Sequence, residues 1–548
     1  MMIESPTLVI TNELATALGS YKLTGEVIGS LMVEGAANWT GGDPAAEPQD
    51  IIVPAIGGDG DPRGEVCGGA TGPDVIVGEM HEITQYTAET VNGVLYDAFS
   101  VGTYSCNVGT SNLSWISGDT GGEGLHPVIG QNFYRLYTAA DGASRFEQIG
   151  QSWLKHGFFA LQNNLCCTCS GSGSGSALGV GCADPYSASR NGGQSGAGPK
   201  WQVNPTAGSH IHPISNPGGY SANTGRRLRI RESDLNQAGA LYFVEGQYVA
   251  KDDAAFGNNN NNGSYRSITV SGTSGSNRTF GLAGTTQRGE AGIRSWKDTD
   301  NSVTETDVQI PSVGLLIMAA KATSLGGGLY HYEYAIQNLN AHRGMKSFSI
   351  PVGTGGTVSN IGFRDVDYHD NDGEGAVTRD GTDWTGTFSG GLVSWTMTDI
   401  GANSNALLWG TMYTFRFDCN RAPTTGNTTL TMFRTGSPAS VSANTVVPSA
   451  SGIIDCQPNG IADDVDISSG NSQDCNSDGV PDECQSFTPC TLAMQPVVTG
   501  LTVPVGVYAP PGDTTRLFVV EQTGAIKIVN PPAYTVNATP LSELERNC

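Results

Sequence analysis

The chain has 548 residues, of which 75 are glycine and only 15% are charged, and its formal net charge is −24. The glycines follow no Gly-X-Y period, which excludes collagen. With 52 acidic against 28 basic residues, the chain is expected to repel nucleic acid and anionic membrane surfaces. No apolar run reaches the roughly 18 residues that a membrane-spanning helix needs. Hydrophobic residues still make up 38% of the chain, which is enough to build a core.

The cysteines indicate an oxidising compartment. Twelve of them lie among turns rich in Gly, Ser, Asn and Thr, and this pattern predicts disulfides in an extracellular, cell-surface or periplasmic protein. The first twenty residues lack the basic and apolar regions of a signal peptide, so we expect the export signal to lie upstream of residue 1. The Cys166-x-x-Cys169 spacing also suits zinc, but the adjacent Cys167 and the Gly-Ser spacer before Cys182 favour disulfides.

Composition and patterning divide the chain into five segments. The predicted segments are a weakly ordered N-terminal stretch with a linker (1–73), a Gly-rich β region (74–319), a β-sandwich (320–447), a spacer that carries a repeat (448–490) and a final β segment (491–548). Alternating runs such as Leu329–Asn338 and Leu408–Phe417 predict a mainly β fold with one or two sandwiches. Helical periodicity appears only over residues 145–162. The runs at 170–176 and 258–263 are interpreted as flexible loop tips.

Residues 455–485 contain an internal repeat at a 19-residue offset. Eight acids and no Lys or Arg lie between Asp455 and Cys484, a third of the net charge. Calcium takes six to eight oxygen ligands from alternate positions of a tight loop, with glycine at the sixth position. Gly460 and Gly479 stand there. The predicted calcium ligands, with Ile461 and Val480 contributing backbone carbonyls, are Asp455, Gln457, Asn459, Ile461, Asp463 and Asp466 in the first copy and Asp474, Asn476, Asp478, Val480 and Asp482 in the second.

This repeat resembles the calcium loops of dockerin modules and thrombospondin type 3 repeats, in which such loops alternate with cysteines. The resemblance covers about 30 residues and implies a spacer or docking module. Gln457 is a neutral third ligand, and Gln485 stands where a closing carboxylate is expected in the second copy. The second site is therefore expected to be weaker or to be completed by Glu483. The alternative is an acidic, disulfide-stapled spacer that binds no metal.

The final segment predicts a hairpin: a strand at Arg516–Glu521, a Gln-Thr-Gly turn, and a strand at Ala525–Val529. Together with the run from Thr499 to Asp513, it resembles the opening of the glucose/sorbosone dehydrogenase family, whose six-bladed propellers oxidise sugars with pyrroloquinoline quinone and calcium. The resemblance implies a truncated propeller-like domain, and no quinone-binding or catalytic residue of that family falls within this chain. A generic hairpin is the alternative.

Two weaker clusters lie in the main body, residues 74–447, which itself resembles uncharacterised exported β-rich proteins of bacteria. Asp367, Asp370 and Asp372 could hold a further calcium ion, or with His369 serve a metal-dependent hydrolase, but a solvated acidic turn is equally consistent. His210 and His212 have a spacing used for zinc or copper, yet no third ligand is evident nearby, and two exposed loop histidines are the commoner explanation. Single titratable residues such as His81 and the Lys155–His156 pair carry little weight alone.

The sequence therefore leads to one functional hypothesis and one alternative. The hypothesis is an exported modular bacterial protein in which a calcium-binding spacer joins β-sandwich modules for recognition or attachment to a further domain. Its expected partners are a carbohydrate or a cell-surface component, with no nucleic acid and no membrane span. The alternative is the N-terminal part of a quinone-dependent sugar dehydrogenase whose catalytic propeller lies outside this chain, with pyrroloquinoline quinone as cofactor only if that propeller exists.

Overall fold

The computed structural model describes residues 67–116, 124–214, 217–273, 277–353, 355–450, 461, 463–475, 481–484, 498–509 and 511–543, together with the backbone of Val9–Ile10 and Met32–Val33. The mainly β class predicted from the sequence is confirmed. The chain forms two compact units, residues 1–465 and 466–548. Among the described helices, none is both long and apolar enough to cross a bilayer.

The first unit begins with two short strands that pair with each other, followed by the strands of one large lobe. They are β1 (Val9–Ile10), β2 (Met32–Val33), β3 (Val75–Val91), β4 (Val94–Asn107), β5 (Leu113–Ser114), β6 (Val128–Thr138), β7 (Ser144–Gln151), β8 (Lys155–His156), β9 (Asn163–Asn164), β10 (Ala177–Leu178), β11 (Cys182–Tyr186), β12 (Val203–Asn204), β13 (Ser209–His210), β14 (Leu228–Arg231), β15 (Leu241–Val249), β16 (Gly263–Ser271) and β17 (Thr279–Gln287). Three short helices accompany them: α1 (Ala188–Asn191), α2 (Lys251–Phe256) and α3 (Arg294–Thr299).

Eleven of these strands form one antiparallel sheet, here called the large sheet. Its main path runs β17-β16-β15-β6-β7-β14-β4-β11-β9, while β3 pairs with β4 and β8 pairs with β6. The β3–β4 hairpin turns at Asn92 and Gly93, which both have positive φ (50° and 82°), and Val91 pairs with Val94. Asn-Gly is the sequence that favours this tight turn, because both residues adopt left-handed backbone at low cost.

Residues 304–448 form the second lobe, a β-sandwich. Its strands are β18 (Thr304–Ile310), β19 (Gly314–Gly326), β20 (Leu329–Asn338), β21 (Met345–Pro351), β22 (Val358–Arg364), β23 (Thr385–Ser389), β24 (Leu392–Thr396), β25 (Thr411–Cys419), β26 (Pro423–Met432) and β27 (Ser440–Pro448). One sheet has the order β18-β19-β20-β25-β22 and the other β23-β24-β21-β26-β27. Side chains of both sheets, including Tyr332, Phe348, Trp395 and Phe415, meet in a closed core.

The two lobes share a buried apolar interface. Tyr134, Phe146 and Trp296 of the first lobe pack with Leu315, Ile317 and Met412 of the second in one cluster. The outer face of β20 is therefore buried too, and every residue from Tyr330 to Asn338 has little exposure. The alternating pattern at 329–338 correctly predicts the strand, but its polar face lies against the other lobe and is not exposed to solvent.

The helical periodicity at 145–162 gave a wrong expectation. The structure forms β7 there, and its residues from Phe146 to Gln151 are all buried. β7 lies inside the large sheet, hydrogen-bonded to β6 on one side and β14 on the other. A strand covered on both faces loses the two-residue alternation by which half-buried strands are detected.

Three disulfides are described in the first lobe: Cys67–Cys167 and Cys106–Cys166 fasten the segment 163–182 to the rest of the lobe, and Cys169–Cys182 closes a loop within that segment. They confirm the disulfide prediction for this group, and the zinc alternative for Cys166 and Cys169 is wrong. Cys484 is also disulfide-bonded. Two cysteines differ from the prediction and remain thiols, Cys419 in the sandwich core and Cys475 on the surface.

The asparagine run 258–262, which follows α2, holds several segments together by hydrogen bonds, so the expectation of a flexible loop tip is wrong. Asn258 donates to the carbonyls of Thr71 and Pro73 at 3.0 and 2.7 Å, and Asn260 donates to Gln309 Oε1 at 2.8 Å. The remaining members of the run also donate to other segments, namely Asn259 to Pro205, Asn261 to Asp74, and Asn262 to Tyr248 and Asp253. These side-chain amides join the N-terminal end of β3, the segment after β12, and the sandwich.

The second unit contains a small antiparallel sheet. Its strands are β28 (Pro504–Tyr508), β29 (Leu517–Glu521), β30 (Ala525–Asn530), β31 (Thr535–Val536) and β32 (Ser542–Glu543). Helix α4 (Asp463–Ser469) begins in the first unit and ends in the second. The predicted hairpin is present: Leu517 pairs with Val529, and Gly524 at φ +94° forms the turn. Several strand side chains are exposed, among them Val505, Val507 and Tyr508.

Candidate metal centre

Three histidines that are far apart in sequence meet in the first lobe. One ligand atom each of His126, His156 and His210 lies within 4.8 Å of the other two. All three side chains are buried, with 2%, 2% and 5% exposure. Within the part of the chain that the structure describes, this is the only group of three or more His, Cys, Asp or Glu residues that meets this distance. Three buried imidazoles are a ligand set for a transition metal.

Pairing within the fold places each histidine. His126 lies in the segment that leads into β6, two residues before Val128. β8 pairs antiparallel with β6, which puts His156 opposite Val128. β13 pairs with β12, which puts His210 opposite Val203. Val128 and Val203 belong to one small apolar cluster with Trp409, so the strands that carry the histidines are anchored on a common core.

Backbone carbonyls orient two of the rings. Nδ1 of His126 lies 3.2 Å from the carbonyl oxygen of Ile116, and Nε2 of His210 lies 2.9 Å from that of His126. A carbonyl only accepts hydrogen bonds, so the nitrogen that faces it carries the proton. The neutral rings then present Nε2 of His126 and Nδ1 of His210 as lone-pair atoms, although the latter also lies 3.4 Å from the Ile211 carbonyl. Such carbonyl contacts commonly fix metal-ligating histidines.

The spacing of the nitrogens is close to that of a metal site. Nε2 of His126 and Nδ1 of His156 are 2.8 Å apart and share a hydrogen bond. Two nitrogens at 2.0–2.1 Å from a tetrahedral Zn²⁺ are about 3.3 Å apart. A ring movement of about half an ångström, with the shared proton moved from Nδ1 to Nε2 of His156, would therefore let both nitrogens bind one metal ion.

The site favours the neutral form of its histidines. Burial, together with the neighbouring His210, His126, His212 and Lys155, lowers the pKa of His156 to about 2. The adjacent Lys155 points away and donates to the carbonyls of Gly193 and Ser195 at 2.9 and 2.8 Å, as alternation along a strand requires. Neutral imidazole is the form that binds metal ions.

A fourth histidine and an apolar rim border the site. His212 is half-buried, and its ring centroid lies 5.0 Å from that of His126. The ring of Phe158 lies 4.9 Å from that of His126 and is 45% exposed. Phe159 and Ile211 are exposed beside them in sequence. A buried, nitrogen-only centre thus lies close to a surface that carries several apolar side chains.

Gly124 packs directly against this centre. A Cβ at this position would lie 2.6 Å from Cε1 and Nδ1 of His210, and the backbone there has φ +62°. Any side chain would be strained by that conformation and would displace the imidazole. Glycine at position 124 is therefore required for the observed position of His210.

The predicted calcium ligands lie partly outside the described residues: Asp455, Gln457, Asn459, Asn476, Asp478 and Val480. Of the others, Asp463 and Asp466 lie in helix α4 and are buried, with 3% and 0% exposure. Asp482 Oδ1 accepts the Cys475 backbone N–H at 3.0 Å. Ile461 and Asp474 are half-buried. Calcium ligation by this repeat stays a prediction.

The structure separates the three aspartates of the weaker cluster. Asp367 accepts two hydrogen bonds from Arg231, at 2.5 and 2.6 Å, and a third from the Tyr96 hydroxyl. Asp372 Oδ2 accepts the backbone N–H of His369 at 2.6 Å. Asp370 is half-buried on the same loop. Asp367 thus serves an ion pair between the two lobes, and a calcium site here stays a prediction.

His369 contacts only backbone groups at both ring nitrogens. Its Nδ1 accepts the Arg226 N–H at 3.1 Å and its Nε2 donates to the Gln151 carbonyl at 2.9 Å. The nearby Asp365 accepts from the Asn405 amide at 2.5 Å, and burial raises the pKa of this carboxyl to about 7. His369 therefore fastens the sandwich loop to the first lobe, which is a structural role.

Sequence reasoning identified only one part of the histidine centre. It singled out His210 and His212 but found no third ligand, because His126 and His156 are 84 and 54 positions away from His210 in the chain. Only strand pairing brings them together. The one available signal was scarcity: the chain has eight histidines, and four of them lie at this site.

Comparison with protein-family models finds no matching family, and comparison with curated proteins finds no matching relative.

Proposed function

We propose that this chain is a metalloprotein whose first lobe binds one divalent transition-metal ion, Zn²⁺ or Cu²⁺, through His126, His156 and His210. The observation that carries this proposal is the convergence of the three buried imidazoles within 4.8 Å from three separate segments. Imidazole nitrogen suits zinc and copper, whereas calcium and magnesium prefer oxygen ligands.

Three protein ligands leave a coordination position for water or an external ligand. Catalytic zinc sites have this ligand count, while structural sites are closed by a fourth protein group. In an open centre, the metal would supply Lewis-acid activation of bound water or of a substrate oxygen. The chain's own contribution is to hold the imidazoles neutral and oriented and to surround them with apolar groups such as Phe158. His212 is the residue that would close the site.

A metal titration tests the proposal. Intact protein, stripped with chelator, is titrated with Zn²⁺ against a chromophoric competitor at pH 7. We expect one tight site per chain that is lost in His210→Ala and kept in the control His81→Ala, whose ring lies against Tyr104 in the same lobe. Equal zinc binding by wild type and His210→Ala would refute the proposal. A Cu²⁺ spectrum that changes in His212→Ala would identify a closed site, and an unchanged spectrum an open one.

The wider context that we propose is an exported modular protein that contacts a carbohydrate or a cell-surface component. The three disulfides of the first lobe support export, because such bonds persist in oxidising compartments. The hairpin at Leu517–Asn530 is consistent with the propeller-like alternative, in which the parent protein is a quinone-dependent sugar dehydrogenase.

A second proposal is that residues 455–485 form a calcium-binding spacer. It is supported by the spacing of the oxygen-bearing residues in the repeat, with Gly460 and Gly479 at the sixth positions. Calorimetric titration with Ca²⁺ tests it. We expect heat of binding that is reduced in Asp474→Ala and unchanged in the control Asp399→Ala, an exposed loop residue of the sandwich. No heat in the wild-type chain would refute it.

A further inference from the structure

A cleft with a strong excess of positive charge lies where the two lobes of the first unit meet. A water-sized sphere can be centred over about 30 Å³ of it, which leaves room for a ligand of only a few heavy atoms. Lys200 and Trp201 line it from the first lobe, and His342, Asp372, Arg379 and Arg434 line it from the sandwich. Three cations and one carboxylate therefore face the same space. The cleft shares no lining residue with the three ligands of the histidine centre.

Carbonyl and amide oxygens, and no carboxylate, accept the hydrogen bonds of these three cations. Lys200 donates to Gly410 O at 2.8 Å, Gln151 Oε1 at 2.9 Å and Asn132 Oδ1 at 3.3 Å. Arg379 Nη1 donates to the carbonyls of Ala402 and Ser404 at 3.2 and 3.3 Å, and Arg434 Nη1 donates to that of His342. Within the described residues, no carboxylate oxygen lies within 4.0 Å of any of the three cations.

The cations also lie close enough to repel one another. Burial lowers the pKa of Arg434, Glu374 opposes this, and the Arg379 cation lowers it further. Burial and then Arg434 lower the pKa of His342 in the same way. The Asp372 carboxylate offsets part of this charge, because it interacts with Lys200 and Arg379, so the repulsion that remains is between Arg379 and Arg434.

Two polar atoms of the lining have no hydrogen-bond partner. The indole Nε1 of Trp201 and Nδ1 of His342 are both buried from solvent and unbonded. Indole N–H can only donate, so Trp201 requires an acceptor that the chain does not supply. Buried donors in native proteins are almost always satisfied, by protein, water or ligand.

We propose that this cleft binds a small anion that carries oxygen acceptors, either a carboxylate or an inorganic phosphate. Its oxygens accept from the Trp201 indole N–H and lie between the guanidinium groups of Arg379 and Arg434. Both observations, the repulsion between Arg379 and Arg434 and the unbonded donor, would be relieved by the same type of ligand. Charge-assisted hydrogen bonds of this kind are the strongest that neutral pH offers to an oxyanion.

Calorimetric titration of the intact chain with sodium acetate, and separately with sodium phosphate, tests the proposal at constant ionic strength. The titrations use metal-free protein and are repeated on His210→Ala, so that binding to the histidine centre is excluded. We expect one of the two anions to bind with a dissociation constant below about 10 mM, and equally well in His210→Ala. This anion binding is expected even if the zinc titration shows that the histidine centre binds no metal ion.

The decisive variant is Trp201→Phe, which keeps an aromatic side chain and removes the pyrrole half of the indole together with its unbonded N–H. We expect its anion affinity to fall by roughly tenfold or more. Because the smaller ring also lowers the thermal midpoint, the comparison is made below the unfolding range of both proteins. Arg434→Met is expected to lose affinity to the same degree, and the exposed Arg288→Met is the control that does not. Absence of binding by both anions, or full affinity in Trp201→Phe, would overturn the proposal.

Discussion

Histidines are buried in both lobes of the first unit, and their surroundings differ in one respect. In the first lobe, His126, His156 and His210 face one another and backbone carbonyls. In the sandwich, His331 lies between two acids, with Nδ1 2.6 Å from Asp418 and Nε2 2.9 Å from Glu333. Burial disfavours a charged imidazole in both places, but only the second site supplies counter-charges. The neighbours thus decide whether a buried histidine is a metal ligand or an ion-pair partner.

The pKa directions follow this difference. Burial and neighbouring histidines lower the pKa of His156. For His331, burial also acts to lower the pKa, but the hydrogen bonds and charges of Glu333 and Asp418 outweigh this effect and raise the pKa. The first arrangement favours neutral nitrogens, which can bind a cation, and the second favours the protonated imidazole. The four predictions below test this contrast.

The largest expected effect is on zinc affinity. Replacing a ligand of the centre, as in His156→Ala, is expected to weaken Zn²⁺ binding by more than about 100-fold, because loss of even a supporting residue commonly costs 10- to 100-fold. His331→Gln is expected to bind zinc as the wild type does. Competitive titration measures both, and a comparable loss in the two variants would remove the distinction between the sites.

The second effect is on stability. His331→Gln leaves Glu333 buried without its imidazolium, and breaking a buried ion pair typically costs about 3 kcal/mol or more. Chemical denaturation of the metal-free chain, with a signal that reports unfolding of the first unit, measures this loss in the free energy of unfolding. His156→Gln should destabilise the same unit far less, since no charge is left behind. Equal destabilisation by both would contradict the ion-pair interpretation of His331.

The third effect is a pH dependence. A folded pKa above the unfolded value contributes stability that is complete below the unfolded pKa and is lost as pH rises through the folded one. Both His331 and Glu333 have raised pKa values, the latter because of burial. The stability difference between wild type and His331→Gln should therefore shrink above about pH 6.5, by at most about 1.4 kcal/mol per pH unit. A difference that grows with pH would contradict the assignment.

The smallest effect compares two glycines. Gly124→Ala places a methyl group against the His210 ring and should weaken zinc binding by roughly three- to tenfold, an order-of-magnitude expectation for a displaced ligand. Gly142→Ala is the matched control, because it has a similar positive φ of 84° but no atom within 4 Å of the added Cβ. Both variants carry the same backbone strain. Zinc affinity that falls equally in both would show that strain, and not contact with His210, is responsible.

The sequence predicts best those features that depend on residues close together in the chain. The strand at 329–338, the hairpin at 516–529 and the disulfides of Cys166 and Cys169 follow from neighbouring residues and are confirmed. β7 was missed because burial on both faces erases the two-residue alternation. The asparagine run was misjudged because its composition does not reveal that each amide reaches a separate segment.

The two candidate metal sites illustrate the same limit. The Asp/Asn/Gly repeat is contiguous, so its ligand spacing is visible in the sequence. The histidine centre combines a loop before β6, the short strand β8 and the β12–β13 hairpin, and its register pairs cross tens of residues. Sequence reasoning placed His210 correctly among metal-ligand candidates but could not supply His126 and His156. A convergent site becomes visible only when the pairing of the sheet is known.

Anomalous diffraction at the zinc edge tests the central claim most directly. Crystals of the intact chain are grown with one equivalent of Zn²⁺ and an excess of Ca²⁺, so that oxygen-rich sites are occupied by calcium. We predict one strong peak about 2.0–2.1 Å from a ring nitrogen of each of His126, His156 and His210. A map without density among these three rings, with zinc bound elsewhere or not at all, would contradict the account.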